Sequence, residues 1–205
     1  YRKSKHAGLE ARFYKESLDE KVLVSFYKIY TETMTRIEAD SSYFYTLNYF
    51  KKLISLSYNN FVLVLIFNDE QPISGELILI SGNTLYSYLG GTLSDYFQYR
   101  PNDFLKVEVM RWAFDNGFVY YLLGGGREDG DNLYHYKKSF FVNDSDIIYY
   151  TGRKIINTKV YNDLDVLLNA TVVINKKDTK PTDTKLNKNS LDYFPSYRKF
   201  QLAKK

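Results

Sequence analysis

Hydrophobic positions recur at helical spacing in the first third of the chain. Between residues 18 and 38 they return every three or four residues, which predicts an amphipathic helix, and a similar stripe predicts a second helix over about residues 42 to 57. Residues 1 to 15 have the pattern of the last turns of a helix, a stop at Gly8 and a strand. The chain is therefore expected to begin with one short strand and two helices.

The hydrophobic period then changes. Residues 60 to 67, 73 to 81 and 84 to 91 are short apolar runs, separated by turn residues at Asn68-Asp69 and Gly82-Asn83. Three such runs with short turns predict an antiparallel meander.

A helix followed by a buried strand is predicted next. Pro101 suits the first position of a helix and Gly117 ends its apolar stripe, while residues 118 to 123 form another apolar run. A strand, helix, strand crossover of this length normally places the two strands parallel. The order of elements predicts an α+β arrangement with a mixed sheet.

The last third of the chain is less regular. Residues 146 to 161 predict a hairpin or two short strands, residues 163 to 170 a short helix, and residues 175 to 190 a polar loop. Residues 191 to 200 are apolar again and are expected to pack back. We divide the chain into a main domain, residues 1 to 170, and a basic tail, residues 171 to 205.

Composition and charge exclude several classes of function. The chain has no cysteine, so disulfides, cysteine-ligated zinc and thiol nucleophiles are excluded. The longest apolar run, Phe61 to Phe67, is far shorter than the roughly 20 residues of a membrane span, and no signal peptide opens the chain. These features predict a soluble protein of the cytoplasm.

The net charge of +4 is unevenly distributed. Residues 171 to 205 carry nine Lys/Arg and three Asp/Glu, a net +6, whereas residues 1 to 170 carry nineteen and twenty-one, a net −2. A basic tail is usually a solvated segment, although it can dock on phosphate. Because the main domain is not basic, binding to nucleic acid is disfavoured.

Short motifs that follow one another in order give a resemblance to a known family. They are "RKSKHAGLEAR" (2 to 12), "YTETMTR" (30 to 36), "GGT" (90 to 92), "RPNDFLKVEVMRWAFDNG" (100 to 117), "YYLLGGG" (120 to 126), "LYHYKKSF" (133 to 140) and "YFPSYR" (193 to 198). Together they resemble the acyltransferase domain of the GNAT superfamily, in its FemAB-like branch. The resemblance covers almost the whole chain and implies a GNAT-like fold, with a mostly antiparallel mixed sheet and helices on both faces.

The FemAB-like branch implies a function and a missing partner domain. Its members transfer acyl or aminoacyl groups to amines of peptidoglycan or polysaccharide precursors, with acyl-CoA or aminoacyl-tRNA as co-substrate and without a tightly bound cofactor or metal. They usually contain two GNAT-like halves, and the basic opening of this chain resembles the start of the second half. An N-terminal half is therefore expected upstream of Tyr1.

The resemblance also implies where the donor binds. In GNAT enzymes the donor lies between the last meander strand and the next parallel strand, and its pyrophosphate faces the following helix N-terminus, where exposed N–H groups favour anions. The candidate donor-binding residues are Gly90, Gly91, Pro101, Asn102, Phe104, Gly125 and Tyr136. The glycine-rich pyrophosphate loop of ordinary GNAT acetyltransferases is absent between Gly91 and Pro101, which favours aminoacyl-tRNA or an unusual donor over coenzyme A.

Three residues are candidates for catalysis. In the FemAB-like pattern an aromatic residue followed by lysine closes the helix after the glycines, and this lysine is implicated in binding phosphate or a carboxyl group of the donor. Here it is Lys137, which is either that lysine or one of two adjacent solvated lysines. His135 is either a proton-transfer group or an ordinary surface histidine. Glu76 is either a proton acceptor facing the cleft or a solvent-facing charge on a half-buried strand.

Further alternatives concern the glycines and the acceptor. Gly90 and Gly91 either form a bulge that opens the sheet or end a strand. Arg36, Arg2 and Lys3 are candidates for binding the acceptor, although a cation at a helix end is also favourable without any function. Gly124 to Gly126 lack the Gly-Lys-Ser/Thr ending of a Walker loop and are interpreted as the exit of the parallel strand.

Two functions of different class are thus predicted. The first is an acyltransferase with an amine acceptor from the cell wall or a polysaccharide precursor. The second is a non-catalytic GNAT-like domain that binds a ligand or a partner.

Overall fold

The computed structural model describes residues 1–177, except 16, 17, 58, 127, 129, 149 and 151, and only the backbone of residues 168–177. The described residues belong to two compact units, one spanning Tyr1–Asp144 and the other starting at Ser145. The predicted order of elements is confirmed throughout the first unit.

The first unit contains five helices and five strands among its described residues. The helices are α1 (Arg2–His6), α2 (Glu20–Arg36), α3 (Leu47–Leu56), α4 (Pro101–Asp115) and α5 (Asn132–Lys138). The strands are β1 (Leu9–Tyr14), β2 (Phe61–Asn68), β3 (Gln71–Ser81), β4 (Thr84–Thr92) and β5 (Tyr120–Leu122). The predicted second helix is shorter than expected, because residues 41 to 43 form a separate 3₁₀ turn before α3.

The strands form one mixed sheet in the order β1-β2-β3-β4-β5. Neighbouring strands from β1 to β4 run antiparallel, and β5 runs parallel to β4. The predicted parallel crossover through α4 is confirmed. The α+β class and the mixed, mostly antiparallel sheet are confirmed with it.

The sheet separates two hydrophobic clusters. Along β2, Val62, Val64 and Ile66 point to the face covered by α4, whereas Leu63, Leu65 and Phe67 point to the face covered by α2 and α3. Because both faces of this strand are covered, β2 is a continuous apolar run rather than an alternating one.

Residues next to the helix ends determine where α2, α4 and α5 begin. Asp19 caps α2 by accepting a hydrogen bond from the Lys21 amide, and Asp131 caps α5 by accepting from the Tyr134 amide. Pro101 opens α4 as predicted, and the preceding Arg100 adopts a left-handed conformation with φ 55° and ψ 50°. A positive φ at a non-glycine residue is uncommon and concentrates at functional sites.

The second unit departs from the sequence prediction. No strand occurs among the described residues from 146 to 161, and α6 (Thr158–Lys177) starts within that range. The branched residues Ile147, Ile148 and Ile156 are exposed, and strand propensity without a partner strand does not produce a strand. The hairpin prediction is therefore wrong for these residues.

Helix α6 confirms a helix over residues 163 to 170 but is longer than predicted. It continues through residues 175 to 177, so the polar loop does not begin at 175. The rest of that loop and the apolar segment from 191 to 200 lie outside the described residues, and the basic tail stays a prediction.

None of the helices in the described part of the chain is both long and apolar enough to cross a membrane.

Candidate acyl-transfer cleft

A cleft of about 560 Å³ opens in the first unit, beside the end of β4. Strands β4 and β5 pair only from Thr84–Tyr120 to Tyr86–Leu122, although β4 continues to Thr92. Beyond these pairs the start of α4, the end of α2 and helix α5 surround the end of β4. The lining residues are Thr33, Met34, Arg36, Ile37, Gly90, Gly91, Thr92, Phe97, Arg100, Pro101, Asn102, Asp103, Lys106, Leu133, Tyr136 and Lys137.

Many of the residues selected from the sequence meet in this cleft. They are Arg36, Gly90, Gly91, Pro101, Asn102, Tyr136 and Lys137. The described lining also holds four cationic side chains, those of Arg36, Arg100, Lys106 and Lys137, against the single carboxylate of Asp103. The charge of the cleft therefore favours an anionic ligand.

Lys137 projects from the last turn of α5 and is half-buried. Its ammonium donates a hydrogen bond to the Gly125 carbonyl at 2.7 Å, which connects the lysine to the glycine run. Burial lowers the pKa of Lys137, the Lys106 ammonium lowers it further, and the carboxylates of Glu76 and Asp131 partly oppose both effects. The surroundings of Lys137 thus destabilise its protonated form, and a bound anion would stabilise that form.

Tyr136 connects α5 to the first turn of α4. Its hydroxyl accepts a hydrogen bond from Asn102 Nδ2 at 2.8 Å and donates one to Asp103 Oδ1 at 3.0 Å. The other oxygen of Asp103 lies 2.6 Å from Arg100 Nε. Burial and the neighbouring Asp103 carboxylate raise the pKa of Tyr136, so the phenol stays protonated and remains a donor. Asp103 is therefore engaged by two side chains of the cleft.

Glu76 and Lys106 form a buried ion pair at the cleft wall, in which Lys106 lines the cleft and Glu76 does not. Lys106 Nζ lies 2.7 Å from Glu76 Oε1, and the two side chains are only 6% and 5% exposed, respectively. Glu76 is thus not the solvent-facing charge that the sequence left open. Among the described residues it is not a lining residue either, and it contacts Lys106, which is one.

Lys106, like Arg100, is a charged lining residue that sequence reasoning missed. It sits on α4 next to the apolar stripe of Leu105 and Val109, where a lysine is normally solvated. The sequence did contain a sign of this pair: Glu76 is the single acid inside the apolar run of β3, and Lys106 is the single lysine of α4. Only the fold shows that the two face each other.

The two glycines of β4 are paired residues inside the strand. Gly90 opposes Glu76 and Gly91 opposes Gly75, and the extra residue that shifts the register lies at Tyr88, between the pairs Leu77–Leu89 and Ile78–Ser87. A Cβ atom at Gly91 would stand 2.5 Å from Thr33 Oγ1 and 2.8 Å from the Ile29 carbonyl oxygen. Gly91 therefore allows α2 to pack closely on β4 at the cleft wall.

The remaining candidates lie elsewhere. Phe104 is fully buried in the α4 cluster, with its ring 5.5 Å from that of Tyr1. His135, Arg2 and Lys3 are exposed and do not belong to the described lining of the cleft. No group of three or more His, Asp or Glu side chains among the described residues is placed to hold a metal ion.

The fold and the cleft define an acyltransferase domain of the GNAT type. A family model described as "Acetyltransferase (GNAT) domain" matches residues 1–138, and the chain belongs to this family.

Two larger proteins are similar to part of this chain. The chain is 34% identical to Lipid II:glycine glycyltransferase of Staphylococcus epidermidis over 59 residues, which are 29% of this chain and 14% of the glycyltransferase. The FemX structure has a TM-score of 0.52 at 14% identity, with 68% of this chain and 51% of FemX covered. The chain therefore spans only part of these relatives.

Smaller acetyltransferases share the fold over nearly their whole length. A possible acetyltransferase from Clostridium difficile 630 has a TM-score of 0.55 at 13% identity, covering 72% of this chain and 98% of that chain. An aminoglycoside acetyltransferase from an uncultured soil metagenomic sample has a TM-score of 0.52 at 13% identity, covering 72% and 97%. At such identities the likeness shows the fold alone, and it confirms the GNAT-like fold.

Proposed function

We propose that this protein transfers an acyl group from an anionic donor to an amine, and that the reaction takes place in the cleft beside β4. The observation that carries the proposal is the convergence of four cations on a cleft at the start of α4. The donor class is acyl-CoA, as expected for a GNAT domain, and aminoacyl-tRNA is the alternative.

The start of α4 and the cations of the cleft would hold the phosphates of the donor. Pro101 has no N–H group, and the Phe104 amide already bonds to the Arg100 carbonyl at 3.2 Å. The amides of Asn102 and Asp103 therefore stand at the open end of the helix, where an anion is favoured. Arg36, Arg100 and Lys137 would supply the opposite charge from three sides.

Transfer to an amine needs no covalent intermediate with the protein. The amine nitrogen forms a bond to the acyl carbon, negative charge develops on the carbonyl oxygen, and the bond to the leaving group of the donor then breaks. The departing group can take up the proton that the amine loses. Holding the two reactants together and stabilising that charge can supply most of the rate. We assign Lys137 to the charged wall of this site, and Glu76 would act on the site through its contact with Lys106 and through its own charge.

The acceptor is proposed to be an amine of a peptidoglycan or polysaccharide precursor. The similarity to a Lipid II:glycine glycyltransferase and to FemX supports this choice. Four expectations from the sequence stay predictions. They are the location in the cytoplasm, the acceptor contacts of Arg2 and Lys3, proton transfer by His135, and a second GNAT-like half upstream.

An assay of the protein with acetyl-CoA and with aminoacyl-tRNA tests the function. Glycine, glucosamine and a Lipid II analogue serve as amine acceptors. We expect turnover with one donor and a decrease in kcat/KM of about tenfold to a hundredfold in Lys137→Ala and Arg36→Ala, because each variant removes a charge from the cleft wall.

Lys52→Ala is the matched control, because Lys52 is exposed on α3 and lies outside the described cleft lining. Donor binding without turnover would favour the non-catalytic, ligand-binding alternative. A lack of both binding and turnover with either donor would refute the proposed acyl transfer.

A further inference from the structure

The ion pair between Glu76 and Lys106 is embedded in a closed hydrogen-bond network. Besides Glu76 Oε1, the Lys106 ammonium donates to Ser87 Oγ and to Tyr121 Oη, each at 3.2 Å. Tyr121 donates to Glu76 Oε2 at 2.8 Å, and Ser87 donates to Glu76 Oε1. The network therefore connects β3, β4, β5 and α4 close to the last pair between β4 and β5.

Such a pair is poorly explained by stability alone. Removing two charges from water is costly, and replacement of a buried ion pair by uncharged residues is often neutral or stabilising. A buried pair beside a ligand cleft therefore calls for a functional explanation.

The pair has a defined orientation. Lys106 lines the cleft, whereas Glu76 lies behind it and is not part of the described lining. All three N–H groups of Lys106 are directed at Glu76, Ser87 and Tyr121. The ammonium is therefore held in place, and it acts on a ligand through its field rather than by donating a hydrogen bond to it.

The field of the pair is felt inside the cleft. At the Lys137 ammonium, Lys106 lowers the pKa more than Glu76 raises it. At Lys137, where we place the anionic part of the donor, the positive end of the pair therefore dominates, whereas at Tyr136 the Glu76 charge contributes to the raised pKa.

We propose that Glu76 and Lys106 are positioning residues that form a fixed dipole, with its positive end toward the cleft, and that this dipole strengthens binding of the phosphate groups of the donor. The inference rests on the proposed function for the identity of the ligand. Preorganised charges of this kind act strongly because they are shielded from water and do not reorganise when the ligand binds.

The test replaces the pair by uncharged groups in the double variant Glu76→Gln/Lys106→Met. The variant leaves the net charge of the protein unchanged, and the amide oxygen of the new side chain can still accept from Ser87 and Tyr121. Calorimetric titration with acetyl-CoA and with inorganic pyrophosphate measures affinity directly, without turnover. We expect binding of both probes to weaken by about tenfold, since the positive end of the dipole stands nearer to the anion than its negative end.

An exposed ion pair provides the matched control. Glu20 and Lys51 form a salt bridge between α2 and α3, and neither lines the described part of the cleft. The double variant Glu20→Gln/Lys51→Met removes the same two kinds of charge and should bind both probes as the unmodified protein does.

The outcomes separate this inference from the proposed function. If a folded Glu76→Gln/Lys106→Met variant binds both probes with unchanged affinity, the proposed role of the dipole is wrong. It is also wrong if the unmodified protein binds neither probe. Weakened binding in a protein that shows no turnover with any donor supports the dipole and refutes the enzyme.

Discussion

Lys137 shows how one side chain combines several opposing influences. The residue is half-buried and its ammonium donates to the Gly125 carbonyl, so it is neither an ordinary surface lysine nor a paired core residue. Burial is the largest influence that lowers its pKa, and the Lys106 charge is the next. A bound anion would act in the opposite direction, because opposite charge favours the protonated form.

The pKa of Lys137 should therefore report on ligand binding. We expect it to lie below the usual lysine value of about 10.4 in the free protein and to rise when inorganic pyrophosphate is added. Competitive labelling with acetic anhydride across a pH series, with peptide mass spectrometry, measures it. A labelling profile of Lys137 that pyrophosphate does not change would contradict its placement at the anion site.

At the junction of β3 and α4, the contribution of a charged contact to stability can be separated from that of apolar packing. Helix α4 packs on the sheet through Phe104, Leu105 and Val109, and Lys106 adds one charged contact beside them. That contact depends on both partners, because a carboxylate left in the same place without its ammonium would be buried and unpaired.

Removal of Lys106 alone should cost more stability than removal of the pair. We expect Lys106→Met to lower the free energy of unfolding by about 3 to 5 kcal/mol, and Glu76→Gln/Lys106→Met to change it far less. Urea denaturation of the three proteins at neutral pH measures the differences. Equal losses in the single and double variants would show that the network matters through packing rather than through charge.

The sequence could predict elements wherever one hydrophobic period runs uninterrupted. The stripe of α2, the apolar run of β2 and the Pro101 start of α4 each depend on neighbours within the same segment, and each was confirmed. The Glu76–Lys106 pair depends instead on the packing of α4 across β3, which no local pattern encodes. The prediction of strands over residues 146 to 161 failed for a related reason, because a strand needs a partner that propensity does not supply.

At the scale of the whole molecule, the first unit has a core made of its own described residues. Both hydrophobic clusters are made of described residues that precede Asp144, and the cleft is lined by residues of the same unit. A domain with its own core can in principle fold alone.

Residues 1–144 should accordingly fold without the rest of the chain. We expect this fragment to show a single cooperative urea transition by far-ultraviolet circular dichroism and to keep its affinity for acetyl-CoA within about threefold of the full chain. A gradual loss of signal would mean that the remaining residues are needed to complete the fold.

The placement of the one tryptophan has a consequence for folding studies. Trp112 stacks against Phe13 and Phe118 on the α4 side of the sheet, at ring-centre distances of 5.2 and 5.5 Å. The opposite side holds stacked tyrosines instead, such as Tyr45 and Tyr49. Indole emission thus follows the consolidation of the α4 face during refolding without any attached label, whereas tyrosines lie on both faces and cannot be assigned to one.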